Sequence, residues 1–122
     1  MKKLITTLLT AGLLAFAATS GSSPTQPPSV IHVVTVKFKA SATPAQIKAA
    51  LDGVLALPAK YKGITRVWVK SIKVQGDKTH AFVMEFADAA ALKAYAGSPA
   101  QKEWYQIYLP IREESTTFDI TN

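Results

Sequence analysis

IHVVTVKF (residues 31–38) sets a histidine one step inside a run of β-branched and aromatic residues that otherwise reads as a buried strand. THAFVMEF (79–86) repeats the arrangement. Both segments read His-x-x-x-x-(Lys/Glu)-Phe, with His32, Lys37 and Phe38 in one and His80, Glu85 and Phe86 in the other. A repeat of this kind suggests two similar halves, each opening on such a strand.

The segments between them support that division. After the first strand (30–38), TPAQ (43–46) combines Thr43 as N-cap, Pro44 at the first helical position and Gln46 at N3, a capping box. Ile47, Leu51, Val54 and Leu55 then recur as one apolar helix stripe, and Pro58 is expected to stop the helix. ITRVWVKSIKV (64–74) predicts a second strand, QGDK a turn, and 79–87 a third strand, so the second and third form a hairpin. Asp88 caps a helix over AAALKAYA that Gly97 ends. SPAQ (98–101) opens another, with Trp104, Ile107 and Tyr108 on one stripe and Pro110 closing it. STTFDIT (115–121) alternates as the last strand. The order β-α-β-β-α-(α)-β is the α+β pattern of a ferredoxin-like sandwich. With the first and third strands read as a parallel central pair, His32 and His80 are expected side by side, roughly 5 Å apart.

The rest of the chain bounds the setting. Lys2 and Lys3 precede the apolar run LITTLLTAGLLAFA, which ends in Ala15-Phe16-Ala17. This predicts a signal peptide over 1–18, cleaved after Ala17 or, as second choice, Ser20. The run is short of the roughly 20 residues that span a bilayer, so no stable membrane anchor is expected. Residues 19–29 form a Ser/Pro-rich linker and 30–122 the folded domain, placed in the periplasm or outside the cell. Without Lys2 and Lys3, 12 basic residues face 8 acidic ones in dispersed positions, which argues against a nucleic-acid face. With no cysteine, stability must come from packing or oligomerisation.

Alternation places His32, Val34, Val36 and Phe38 on one face of the first strand, and His80, Phe82, Met84 and Phe86 on one face of the third. These rows are expected under the helices. The opposite face carries Ile31, Val33, Thr35, Ala81 and Val83, too apolar to face water, and a partner sheet is the simplest cover. A homodimer through the sheet face is therefore expected. Lys37 and Glu85, read at equivalent positions on that face, are expected to pair.

IHVVTVKFK, the hairpin into THAFVMEF, ALKAY, SPAQ and the closing TTFDIT together resemble the stress-responsive α/β-barrel (Dabb) domain family over about 30–121. The resemblance implies a ferredoxin-like subunit that forms a dimeric α/β barrel, with a small apolar pocket between sheet and helices. Some family members are plant polyketide cyclases that use a helix Tyr, a strand His and a His within H-P-x-H. Tyr95 and His32 match the first two. Ser98-Pro99-Ala100-Gln101 stands where H-P-x-H would be, and the Gln101 carboxamide cannot serve as a base near neutrality.

The candidate pocket residues are thus His32, His80, Tyr95 and Gln101, with Trp68, Trp104, Tyr105 and Tyr108 as further lining candidates. No metal is expected, since no Asp, Glu or Cys is read onto the histidine face, and Asp119 is read as isolated on the last strand. No cofactor is implied, and no G-x-S-x-G marks a hydrolase. Two function classes follow. One is a stress-associated module that is non-catalytic or binds a small apolar ligand, the reading favoured by Gln101. The other is a cofactor-free cyclase, isomerase or monooxygenase-like enzyme acting on a carbonyl or phenolic substrate through His32, His80 and Tyr95.

Overall fold

The structure, a computed structural model, describes residues 26–122. The expected signal peptide and most of the linker lie outside the described residues. Val30–Phe38 forms β1. Helix α1, Pro44–Lys60, opens on the expected capping box: Gln46 N–H donates to Thr43 Oγ1 at 3.1 Å, and Thr43 N–H donates to Gln46 Oε1 at 2.9 Å. Pro58 does not stop this helix. It forfeits one backbone hydrogen bond, but the Tyr61 N–H still reaches the Leu57 carbonyl at 2.8 Å and closes the last turn.

Strand β2, Ile64–Trp68, is shorter than the expected 64–74. Residues 69–79 leave the sheet, with Ile72 99% exposed. Ser71 holds this loop to the start of β3, His80–Phe86, exchanging two hydrogen bonds of 2.8 Å with the backbone of Ala81. Asp88 caps α2, Ala89–Tyr95, accepting from the Ala91 N–H at 2.7 Å. The chain leaves α2 through Gly97 at φ +77°, left-handed backbone that a side chain would strain. Ser98 then caps α3, Pro99–Tyr108, and a 3₁₀ turn over Leu109–Ile111 delivers the chain to β4, Arg112–Ile120. This last strand begins three residues earlier than the sequence pattern suggests.

The fold is a ferredoxin-like α+β sandwich with strand order β2-β3-β1-β4, and every strand pair is antiparallel. The expected parallel pairing of β1 with β3 is therefore wrong, for a topological reason. The α1 crossover returns β2 in the direction of β1, and the hairpin then reverses β3. His32 lies opposite Met84 and His80 opposite Val36. The two histidines share a face but sit at opposite ends of the strand pair, about 13 Å apart along it. The same reversal separates Lys37 from Glu85. The Lys37 ammonium sits 3.4 Å from Glu113 and 3.8 Å from Asp77. Glu85 accepts from Arg66 Nε at 2.5 Å, and that guanidinium holds its carboxyl below the usual range.

The helices bury the predicted apolar rows. Val34, Val36, Phe38, Phe82, Met84 and Phe86 pack against Ala50, Val54, Leu57, Trp104 and Tyr108. Leu55 and Ile107, expected in the helix stripes, are instead exposed. Trp104 anchors α3 to α1 by donating its indole N–H to the Ala50 carbonyl at 2.9 Å. Gly53 makes this approach possible, because a Cβ there would stand 2.6 Å from Trp104 Cδ1. Overpacking of that kind costs about 1–3 kcal/mol, more than the roughly 1 kcal/mol that a helical glycine forfeits.

On the opposite face, Trp68, Val83, Val33 and Phe118 form one cross-strand row, with Trp68 and Phe118 about half exposed. The two ends of the domain meet beside this face. The Asn122 side chain donates to the Pro27 carbonyl at 2.8 Å, and Thr121 to that of Ser29 at 3.0 Å. Among the described residues, no helix is long and apolar enough to cross a membrane.

Candidate functional site

A cavity of about 170 Å³ opens between the helix-side face of β1 and β4 and the helices α2 and α3. His32, Tyr95 and Gln101 line it together, as do Trp104, Tyr105 and Tyr108. His80 and Trp68 do not. Trp68 lies on the far face of the sheet, in line with Val83. His80 sits at the other end of β3, beside Ile47 and Leu51 of α1. There it packs edge-on against Phe38 at 5.1 Å, with Nδ1 3.0 Å from Thr79 Oγ1. Burial pushes its pKa down.

His32 has an acid partner that the sequence reading missed. Asp119 lies directly opposite on β4, and its Oδ1 is 2.5 Å from His32 Nδ1. The imidazole also stands edge-on to Phe86 at 5.8 Å. Engaging Nδ1 with a carboxylate fixes the ring's orientation and tautomer and leaves Nε2 as the nitrogen available to a ligand. The earlier expectation that no acid shares the histidine face fails because β4, not β3, supplies it.

Tyr95 and Tyr108 are both about 3% exposed, and among the described residues neither hydroxyl has a hydrogen-bond partner. Burial raises the pKa of both. For Tyr108, nearby Ser115 and Arg112 partly offset that push. Each phenol is thus protonated at neutral pH and can act as a donor but not as a base. A buried hydroxyl without a partner costs about 1–3 kcal/mol, a penalty that a polar atom entering the cavity would relieve. Gln101 is already committed. Its Oε1 accepts from the Gly97 N–H at 2.6 Å and its Nε2 donates to the Tyr105 hydroxyl at 3.1 Å. The carboxamide therefore braces the junction of α2 and α3.

The outer wall of the cavity comes from β4, through Arg112, Ser115 and Thr117. None of these was foreseen. Ser115, Thr117 and Asp119 alternate onto the helix side, and that polar alternation was the readable signal. Arg112 reaches the same wall only because the register shifts between Lys37 and Phe38, which sets Arg112 opposite Phe38. Among the described residues, no group of three or more His, Cys, Asp or Glu side chains is placed to hold a metal.

The sequence matches the stress responsive A/B barrel domain (Dabb) family over residues 30–122. No curated protein matches it significantly. Similar solved structures include a dimeric ferredoxin-like protein of unknown function from Bacteroides fragilis, 20% identical, with a TM-score of 0.65 over 80% of this chain and 99% of that one. Hydroxynitrile lyase from Passiflora edulis is 19% identical, with a TM-score of 0.70 over 79% of this chain and 94% of that one. A mutant of SnoaB, a cofactor-independent oxygenase from Streptomyces nogalater, is 16% identical, with a TM-score of 0.60 over 78% and 93%. At these identities the likeness concerns the fold.

Proposed function

The chain belongs to the stress responsive A/B barrel domain family, and from that premise we propose that it is an exported homodimer that binds a small, largely apolar ligand in the cavity beside His32. The observation that carries the ligand reading is the pair of tyrosines, Tyr95 and Tyr108, that line one cavity and whose buried hydroxyls have no hydrogen-bond partner among the described residues. The cavity walls are otherwise mostly aromatic and aliphatic, from Val34, Phe82, Met84, Leu92 and Trp104. Such a site takes an apolar body with a few polar atoms at fixed positions. The test is native mass spectrometry of the gently purified protein, followed by titration of candidate ligands into wild type and His32→Ala. Retention of a small molecule by wild type and its loss in the variant support the reading. A cavity that takes up no organic molecule in either overturns it.

The dimer reading rests on the open sheet face, where Phe118 is 59% and Ile120 57% exposed beside Val33 and Val83. The dimeric Bacteroides fragilis protein of the same fold points the same way. Sedimentation at micromolar concentration should give a dimer that Phe118→Asp dissociates, and a wild-type monomer would refute it. Export rests on the N-terminal charge and apolar pattern, and N-terminal sequencing of the secreted or periplasmic protein tests it.

A second reading, cofactor-free catalysis, is favoured by one observation, the 2.5 Å contact of His32 with Asp119. A carboxylate that orients an imidazole leaves Nε2 placed to take a proton from a bound carbonyl or phenolic compound. Tyr95, held protonated, would supply a hydrogen bond to the developing oxyanion. His80 takes no part in this arrangement. Turnover of such a probe that disappears in both His32→Ala and Asp119→Asn would promote this reading over simple binding.

A further inference from the structure

The cavity holds one feature that an apolar ligand does not explain. Arg112 lines it with a guanidinium that has no carboxylate within 4.0 Å among the described residues. Residues 1–25 contain no acidic side chain that could supply one. Its sequence neighbours are acidic but are engaged elsewhere: Glu113 with Lys37 at 3.4 Å, and Glu114 with Lys78. The other arginine, Arg66, is paired through Nε with Glu85 at 2.5 Å. Arg112 instead lies over the Tyr108 ring, its Cζ 5.6 Å from the centroid, and makes one long contact of 3.5 Å from Nη1 to Ser115 Oγ. The buried Tyr108 hydroxyl, which makes no hydrogen bond among the described residues, lies close to Arg112 and Ser115 in the same corner. A fixed positive charge, a serine hydroxyl and a buried phenol donor thus converge at one end of the cavity.

The adjoining wall is flat and aromatic, with Val34, Met84 and Leu92 filling in around it. Phe82 meets Trp104 edge-on at 5.6 Å, and Trp104 stacks on Tyr108 at 4.3 Å with the rings nearly parallel. A cavity of about 170 Å³ is close to the roughly 150 Å³ that accommodates one benzene-sized molecule. Planar forks of N–H donors are matched in shape and charge to a carboxylate.

We propose that the ligand is a monocarboxylic acid of single-ring size, with its carboxylate held by Arg112 and the Tyr108 hydroxyl and its ring against Phe82 and Trp104. This rests on the ligand-binding reading above and adds the charge and the orientation of what is bound. The acid enters with its carboxylate toward the start of β4, so its opposite end points away from Arg112, toward the Tyr95 and His32 side of the cavity.

The test compares benzoate with the neutral, nearly isosteric benzamide, titrated calorimetrically into the purified protein. Wild type should bind benzoate roughly tenfold or more tightly than benzamide, the factor expected for one charge-assisted contact. Arg112→Gln should abolish that preference. Arg112→Lys keeps the charge without the fork and should retain part of the preference, which serves as the readout if Arg112→Gln fails to fold. Equal binding of the two probes by wild type, or a preference that survives in Arg112→Gln or is undiminished in Arg112→Lys, overturns the acid assignment and leaves the cavity reading standing. Failure of wild type to bind either probe counts against both.

Discussion

His32 and His80 open segments of the same pattern, yet the two regions around them differ in almost every physical respect. His32 borders a cavity, is oriented by Asp119 and shares its surroundings with two unpartnered hydroxyls. His80 rests against Phe38, makes its side-chain polar contact with the hydroxyl of its neighbour Thr79, and loses basicity to burial. The difference lies in what each end of the sheet has beside it. At the His80 end, Pro44, Ile47 and Leu51 of α1 border a groove of about 510 Å³ that is wider and more open to solvent than the cavity beside His32. At the His32 end, the edge strand β4 extends alongside β1 and supplies a polar wall that the helices do not seal. A site arises where the helix layer ends before the sheet does.

The strongest way to break this comparison is to remove the side chain that keeps the cavity in shape. Trp104→Ala deletes the stack with Tyr108, the edge contact with Phe82 and the hydrogen bond to Ala50. It should cost about 3–5 kcal/mol in chemical denaturation, and a loss under about 1 kcal/mol would show that α3 is held by something else. Next in size is the contrast between the histidines themselves. His32→Ala and Asp119→Asn should each weaken ligand binding about tenfold or more, whereas His80→Ala should leave it within about twofold. Equal losses for His32 and His80 in calorimetric titration would mean that the two ends are coupled.

That contrast also shows what was legible beforehand. The capping residues Thr43, Asp88 and Ser98, the inward rows of β1 and β3 and the place of His32 follow from local pattern, because caps and alternation depend only on neighbours in the chain. Tyr95 and Gln101 were reached instead through the family resemblance. The pairing of the two histidines failed because a repeated motif carries no direction, and the direction of β3 is set by the hairpin before it. Asp119 and Arg112 were missed for a related reason. Their roles depend on which residue of β1 stands opposite, and a bulge at Lys37/Phe38 decides that for Arg112. Ile72 lies in an apolar, strand-like run, yet the sheet ends before it and it is left in solvent. Propensity measures willingness to pair, not whether a partner is there.

A smaller test sets two touching tyrosines against each other. Tyr61 and Tyr95 have ring centroids 5.5 Å apart, but the Tyr61 hydroxyl donates to the Ala91 carbonyl at 2.6 Å while that of Tyr95 has no partner among the described residues. Tyr61→Phe should lower stability by about 1 kcal/mol, and Tyr95→Phe should raise that of the ligand-free protein by a similar amount. A loss in both variants would reveal a hidden partner for Tyr95. The smallest effect concerns acid. Because burial holds the His80 pKa below its unfolded value of about 6.5, the fold favours the neutral ring. The unfolded chain then binds the extra proton, so stability is complete above that pH and declines as pH falls toward the folded value. Thermal midpoints between pH 5 and 7.5 should show a decline that is shallower in His80→Gln, and an unchanged slope would assign the titration to another group.

The hydrogen bonds that tie Asn122 to Pro27 and Thr121 to Ser29 place the two ends of the domain side by side. A peptide of a few residues could therefore join them, and new ends could be opened in the exposed 69–79 loop without cutting any strand. Such a circularly permuted chain would keep every backbone pairing of the sheet. A carrier or surface attached at either end of the described domain would hold it by one and the same corner.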